Sequence, residues 1–434
     1  MRKLRELSPH DLLTVGVPLL LLVAAGFWLT AQFIRPAPPD YLVLSSGPEG
    51  GGYQAYAARY KLFLEKHGIE LRERPSAGSL ENLKRLRDSK EELDVAFIQG
   101  GTVTAPDDQN LVSLGSLYYE PLWVFYRGQQ ELSRLTQLKG KRLAIGPEGS
   151  GTRKLALELL EANGAAAAPT RLLPLGGLAA VEALHQGRVD AVFAVGPVQS
   201  ATVWSLLYLE GARLMSFAQA DAYTRRFPYL SKVVLPQGTI DLVRDIPARD
   251  VTLVAPVATL VARKDMHPAL MYLLLQGAEE VHGTAGPFNK AHQFPSPQQV
   301  DFPLAQEAER YYKSGKPFLQ RYLPFWAATL AERMWVMIIP FFGLLIPIMR
   351  VAPPLYRWRV SSRIYRWYGQ LKFLENEVKR DPAKLSRAEW LARLARIEEG
   401  VDRIPTPLAF TDQWYTLREH IGLVRTVILE KTAA

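Results

Sequence analysis

The chain has no cysteine and only seven histidines among its 434 residues. Without cysteine it can form neither disulfides nor thiolate metal sites. The histidines show neither the H-x-x-x-H nor the HExxH spacing of a zinc hydrolase. The composition therefore predicts no metal and no cofactor, and it gives no support for an enzyme.

The chain also lacks a basic surface of the kind that binds nucleic acid across its main domain. The formal net charge is +9, but from Arg350 to the end 16 Lys and Arg stand against 10 Asp and Glu. About +6 of the charge therefore lies in the C-terminal fifth, and the middle region is close to neutral. We expect no nucleic acid among the partners.

Long apolar runs are few, and the first covers residues 12–34. It has 23 residues without a charge and follows the basic residues Arg2, Lys3 and Arg5. A cleavable signal peptide has an apolar core of roughly 7–15 residues, whereas a bilayer span needs about 20. The run predicts an uncleaved transmembrane anchor with residues 1–11 in the cytoplasm, and signal cleavage stays open as the alternative.

A second apolar run covers residues 334–349. It is 16 residues long, and Pro340 and Pro347 interrupt it. Six Lys and Arg follow before the first acidic residue, Glu375, which is the positive-inside pattern. The run predicts a second transmembrane helix, with a buried core helix as the alternative. Both termini, including a tail at 350–434, would then lie in the cytoplasm.

Between these two runs, strand-like and helix-like segments alternate twice in the same order. This βαβαβ order predicts an α/β fold with two similar lobes, each containing a largely parallel sheet. The first unit consists of 41–45, 53–66, 69–74, 80–86 and 94–99. The second consists of 143–146, the helix that follows to 163, 171–175, 178–185 and 189–195.

The lobes must be joined, and two apolar segments are placed to join them. Leu122–Tyr126 precedes the second unit and Val251–Ala262 follows it. We expect both to be extended crossovers, so that lobe I comprises 40–127 with 251–320 and lobe II comprises 128–250. Two crossings make a hinge, and hinged closure around a ligand is a common mechanism.

The segment Leu143–Leu155, LAIGPEGSGTRKL, is the most informative stretch of the sequence. A glycine-rich turn between a strand and a helix exposes backbone N–H groups at the positive end of the helix dipole, which suits an anion. A phosphate loop needs Lys and then Ser or Thr after its last glycine, but Thr152 and Arg153 follow Gly151. The turn therefore predicts a site for a small anion of the carboxylate type, with simple capping by Ser150 or Thr152 as the structural alternative.

Several ordered motifs resemble the solute-binding proteins of TRAP transporters, specifically the TAXI type. They are 47–53, 76–83, 94–99, 139–142 with 149–152, 187–191 and 196–197. The resemblance implies a two-lobed periplasmic-binding-protein-like fold, here with flanking transmembrane helices and a helical tail. It also implies a bacterial inner-membrane location, with the binding domain in the periplasm.

The anion turn and the family motifs together give the candidate binding residues. We expect one lobe to hold the anionic group and the other to supply polar and aromatic contacts, with one loop shaping the wall. The residues expected to hold the anionic group are Gly149, Ser150, Gly151 and Thr152. The residues expected to supply polar and aromatic contacts are Gly51, Tyr53, Ser76, Ser79 and Gln99, and the wall loop contains Gly196 and Pro197.

The predicted function is capture of a small carboxylate-type solute for TRAP permease subunits at the lipid bilayer. A ligand sensor or scaffold that signals through its tail is the alternative. The tail contains amphipathic segments, with apolar residues spaced for one face at 371–378, 390–397 and 414–429. Such helices either pack on one another or present a docking surface to a cytoplasmic partner or to lipid.

Overall fold

The computed structural model describes residues 17, 20, 21, 23–25, 28, 37–103 and 110–432. The predicted anchor at 12–34 falls largely outside these residues. One compact unit is Ala37–Thr329, and a second comprises Met1–Pro36 and Leu330–Ala434.

The described strands and helices follow the predicted alternation. In chain order the strands are β1 (Tyr41–Ser45), β2 (Glu70–Arg74), β3 (Val95–Gln99), β4 (Leu111–Tyr119), β5 (Leu122–Arg127), β6 (Arg142–Ala144), β7 (Arg171–Leu173), β8 (Ala191–Val195), β9 (Ala212–Leu214), β10 (Ser231–Leu235), β11 (Val251–Ala255) and β12 (Val257–Arg263). The helices are α1 (Gly52–Lys66), α2 (Ser79–Arg87), α3 (Gly151–Ala162), α4 (Gly177–His185), α5 (Ala201–Leu207), α6 (Ala220–Arg226), α7 (Pro268–His282), α8 (Gln306–Ser314), α9 (Phe325–Arg380), α10 (Arg387–Asp402) and α11 (Thr411–Lys431).

The first lobe is built on a five-stranded sheet in the order β2-β1-β3-β12-β4. β1 is parallel to β2 and β3, and β12 is antiparallel to β3 and β4. Alternate residues of β1 enter different cores: Leu42 and Leu44 pack on the side of α1 and α7, and Val43 packs on the side of α2. Because helices cover both faces, the strand is an uninterrupted apolar run.

The second lobe repeats this plan with the sheet order β7-β6-β8-β5-β9. β6 is parallel to β7 and β8, and β5 is antiparallel to its neighbours β8 and β9. A separate antiparallel pair, β10 and β11, packs on the same core. The prediction of a two-lobed α/β fold with mixed sheets is confirmed.

The first crossing between the lobes precedes the predicted segment, and the second lies inside the predicted segment Val251–Ala262. Leu122–Tyr126 is not a crossover but part of β5, a central strand of the second sheet whose side chains are buried. Likewise, β11 pairs with β10 in the second lobe. The chain therefore crosses at Glu120–Pro121 and again at Pro256. The apolar character that suggested crossovers comes from burial of these strands in the second core.

The C-terminal helices form a core of their own. Leu374 of α9, Trp390 and Leu394 of α10, and Leu417 and Ile421 of α11 are buried together. This arrangement agrees with the interpretation that the amphipathic tail segments pack on one another.

The predicted second span, 334–349, lies within the 56-residue helix α9. Among the described residues, no helix is both long enough and apolar enough to cross a membrane. The described structure therefore gives no support to this span.

Candidate functional site

A cleft lies between the two lobes, close to the crossings. The space in it that the centre of a water molecule can reach is about 100 Å³, whereas a single water needs at least ~10–15 Å³. The cleft is therefore large enough for a small organic molecule.

The beginnings of five helices line this cleft. These lining residues are Gly51 to Tyr53 at α1, Gly78 and Ser79 at α2, Ser150 to Thr152 at α3, Gly176 and Gly177 at α4, and Ser200, Thr202 and Val203 at α5. Helix N-termini carry unpaired N–H donors and partial positive charge. Their convergence makes the cleft suited to a negatively charged group.

The turn before α3 has the geometry that its glycines predict. Gly146 and Gly149 have φ values of 94° and 82°, in the left-handed region that glycine adopts without strain. The Ser150 hydroxyl donates to the Pro147 carbonyl over 2.7 Å and accepts from the Arg153 N–H over 3.2 Å. It is thus the N-cap of α3, as the structural alternative proposed.

The backbone of the same turn has donors to spare. The N–H groups of Gly151 and Thr152 donate no hydrogen bond to any residue that the structure describes. They stand at the first two positions of α3, beside the cleft. The backbone N–H groups that the sequence suggested as anion donors are thus free to donate, whereas the Ser150 hydroxyl, which it also suggested, is engaged within the turn.

Buried polar groups of the first lobe form the facing wall. The Tyr53 hydroxyl lies 3.1 Å from Ser79 Oγ, which accepts the Gln99 N–H over 2.9 Å. The Gln99 side-chain amide reaches the second lobe and donates to the Gly151 carbonyl over 3.3 Å. One hydrogen-bond chain thus links both sides of the cleft.

Direct contacts between the lobes indicate a closed arrangement. The Gly149 carbonyl accepts the N–H groups of Leu80 and Glu81, over 3.2 and 3.3 Å, at the beginning of α2. A Cβ built on Gly52 would lie 2.8 Å from Pro197 Cγ and closer still to its Cδ. The turn of one lobe therefore caps a helix of the other, and glycine permits the close approach.

Seven of the eleven predicted site residues line the cleft: Gly51, Tyr53, Ser79, Gln99, Ser150, Gly151 and Thr152. The other four are not among its lining residues: Ser76, Gly149, Gly196 and Pro197. Ser76 bonds to the buried Asn82 side chain over 2.6 Å, and the Gly196 carbonyl accepts the Trp123 indole N–H. Gly149 and Pro197 contact the opposite lobe, so these four residues support the cleft from outside.

Glu120, which was not predicted from the sequence, lines the cleft at the crossing between the lobes. It is only 3% exposed. Its carboxyl accepts the Tyr53 hydroxyl over 2.9 Å and the Tyr118 hydroxyl over 3.5 Å. Burial raises the pKa of Glu120 from 4.5 to about 8, against the two hydrogen bonds, which lower it. The available signal was a single acidic residue between two apolar strands.

The other cleft residues that were not predicted come from six stretches of the chain: 48, 49 and 52; 77 and 78; 146 and 147; 176 and 177; 193–195; and 200, 202 and 203. The first three stretches lie within motifs that the sequence singled out, whereas the last three had no local signal. Within the described parts of the chain, no group of three or more His, Asp or Glu is placed to bind a metal ion.

The chain belongs to the NMT1-like family. The family matches residues 44–314, more than half of the chain and nearly all of the unit that contains the cleft.

Solved structures of small-molecule-binding proteins are similar to this chain at low identity. An ancestral arginine-binding protein bound to arginine is 15% identical, with a TM-score of 0.37, over 56% of this chain and 92% of its own. The alkanesulfonate-binding protein SsuA from Xanthomonas axonopodis pv. citri, bound to MOPS, is 16% identical, with a TM-score of 0.38, over 57% and 74%. The CcmR regulatory domain from Synechocystis PCC6803, in complex with 2-PG, is 14% identical, with a TM-score of 0.38, over 56% and 98%.

Proposed function

We propose that this protein captures a small carboxylate in the interlobe cleft and supplies it to a TRAP-type transporter. The observation that carries the proposal is the convergence of five helix N-termini on one cleft between two hinged lobes. Among the described residues that line the cleft there is no lysine or arginine. Recognition in this proposal therefore depends on backbone N–H groups, with those of Gly151 and Thr152 first among them.

The polar wall of the first lobe gives the site its shape. Tyr53, Ser79 and Gln99 are all buried, and each is fixed by a hydrogen bond to another member of the wall or to the facing lobe. A ligand that contacts this wall and the α3 turn together stabilises the closed arrangement, because only that arrangement offers both contacts. These residues are proposed as the specificity-determining side of the cleft.

The transporter and the membrane enter the proposal from the sequence. The ordered motifs resemble TAXI-type proteins, and residues 12–34 have the length and apolarity of a membrane anchor. The binding unit would then face the periplasm, and the acid-free basic run after Met349 would keep the tail in the cytoplasm. Enzyme fusions test this topology: a fusion at residue 200 should be active only outside the membrane, and one at residue 400 only inside. A tail found outside would contradict it.

A second function is favoured by one observation. Helices α10 and α11 and the C-terminal part of α9 form a buried core separate from the cores of the two lobes. A folded C-terminal unit of this size is more than an anchor requires, and it suits a sensor that reports ligand capture to a cytoplasmic partner. Deletion of the permease genes tests this alternative. Signalling that stays intact, although solute uptake is lost, would favour the sensor.

Calorimetric titration of the full-length protein in a mild detergent tests the binding function. The panel contains acetate, succinate, L-glutamate and benzoate, and succinamide serves as the uncharged match of succinate. We expect at least one carboxylate to bind and succinamide to bind at least tenfold more weakly, because helix N-termini favour the anion. Equal affinity for succinate and succinamide, or no binding by any member, would contradict the proposal.

A further inference from the structure

We propose that anion capture in this cleft is linked to a proton on Glu120, whose carboxyl is neutral when the anion is bound and weakens binding when it ionises. The inference rests on the proposed function and deepens it, because Glu120 lines the same cleft. It makes the protonation state of a hinge residue part of ligand recognition.

The position of Glu120 ties it to both the cleft and the hinge. It stands between β4 of the first lobe and β5 of the second, at the first crossing. Its backbone N–H donates to the carbonyl of Pro256, the second crossing, over 2.8 Å. Its carboxyl is directed to the phenols of Tyr53 and Tyr118. No ion pair among the described residues includes Glu120, so no cation compensates its charge.

An ionised Glu120 and an anionic ligand would place two like charges in one cleft. Both charges would be withdrawn from water, and inside the cleft the repulsion between them is poorly screened. Two carboxylates that share a buried site respond by keeping a proton on one of them. The ligand is held at helix N-termini, which favour its ionised form. The proton therefore stays on Glu120.

The groups packed around Glu120 do not change charge near neutral pH. Burial raises the pKa values of Tyr53 on α1 and Tyr118 on β4 well above their usual value. His282, at the end of α7, stacks on Tyr118 with ring centroids 5.2 Å apart, and burial lowers its pKa to about 3. Both phenols and the imidazole are therefore neutral. Glu120, with its pKa raised to about 8 by burial, is the group that titrates.

Two further charges lie near this cluster. Arg59 on α1 lies over the Tyr56 ring, 5.9 Å from its centroid, and lines a separate cavity. Glu49 lines the cleft but is exposed to solvent. Neither residue forms a hydrogen bond with the Glu120 carboxyl, so its neutral form is set by burial and by the bound anion.

The test is calorimetric titration of the full-length protein with acetate and succinate, which stay ionised between about pH 6 and 10. We expect the wild-type Kd to rise by up to about tenfold per pH unit above the pKa of Glu120. Titrations in buffers of different ionisation enthalpy should show proton uptake on binding near that pKa. In Glu120→Gln the dependence of Kd on pH should vanish. Asp94→Asn, which replaces a half-buried carboxyl outside the cleft, should keep the wild-type dependence of Kd on pH.

Each outcome decides the inference. The inference would be overturned if Kd depended on pH equally in wild type and Glu120→Gln and the wild type took up no proton on binding. Loss of binding in folded Glu120→Gln at every pH would also overturn it, because glutamine is neutral like the protonated carboxyl and should still permit anion capture. Proton uptake by the wild type decides the question even where the variant does not fold. An absence of anion binding at every pH removes the proposed function and the linkage together, whereas binding without a pH slope removes only the linkage.

Discussion

Gly52→Ala is expected to weaken carboxylate binding by the full-length protein at least tenfold. Gly52 is the first residue of α1, and a Cβ built there would lie 2.8 Å from Pro197 Cγ of the other lobe and closer to its Cδ. A proline ring is fixed to its backbone and cannot turn aside. The lobes would therefore have to separate, and the contacts that a ligand makes to both would be lost.

This substitution isolates closure from folding. Gly52 does not have a positive φ, and alanine is the better helix former, so the first lobe should fold at least as well. Gly422→Ala in α11 is the control, because nothing lies within 4 Å of a Cβ built there. A second variant, Gly151→Val, disturbs a different contact between the lobes, because a Cβ there would lie 2.6 Å from Gln99 Oε1 and 3.2 Å from Ser79 Oγ.

Small-angle scattering shows whether closure is the cause. The wild type and Gly422→Ala should show a smaller radius of gyration with saturating succinate, and Gly52→Ala should not. If Gly52→Ala became compact and bound succinate with wild-type affinity, the contact between α1 and Pro197 would have no part in capture. Equal radii for wild-type protein with and without ligand would instead indicate a rigid binding cleft.

The sequence predicted the elements of this fold well because their causes are local. The strand predicted at 94–99 has an apolar centre at 95–98, and the helix that begins at Gly151 has its cap and its glycines close to its first residue. The lobe boundaries were wrong by one strand at each crossing. Burial of β5 and β11 produces the same apolar pattern as an extended crossover, and only the pairing of these strands distinguishes the two.

The candidate site was predictable only where a glycine turn announced it. Gly151 and Thr152 follow such a turn, whereas Gly176 and Ser200 come from separate segments that meet them only in the folded chain. Glu120 is the clearest case, because its environment depends on phenols supplied by α1 and β4. A carboxyl with an ordinary sequence context acquires its chemistry from burial, which the sequence around it does not encode.

That burial leads to the second large effect, on stability without ligand. The folded pKa of Glu120 is about 8, raised by burial above the value of 4.5 that it has in the unfolded chain. Below about pH 4.5 both states are protonated and the residue adds no pH dependence. As the pH rises from about 4.5 to about 8, the unfolded state loses its proton first. Stability is therefore lost progressively, and the loss is complete above about pH 8. At about 1.4 kcal/mol per pKa unit, the loss is on the order of a few kcal/mol.

Glu120→Gln should remove this loss, because glutamine is neutral at every pH and can still accept the Tyr53 hydroxyl. We expect the unfolding midpoint of ligand-free Glu120→Gln, measured by scanning calorimetry, to exceed that of the wild type by a margin that grows between about pH 5 and 8.5. Glu49→Gln is the matched control, since it removes a negative charge from the same cleft without removing a buried carboxyl. A wild-type midpoint that falls with pH no faster than that of Glu120→Gln would mean that the Glu120 carboxyl is already ionised or solvated in the folded protein.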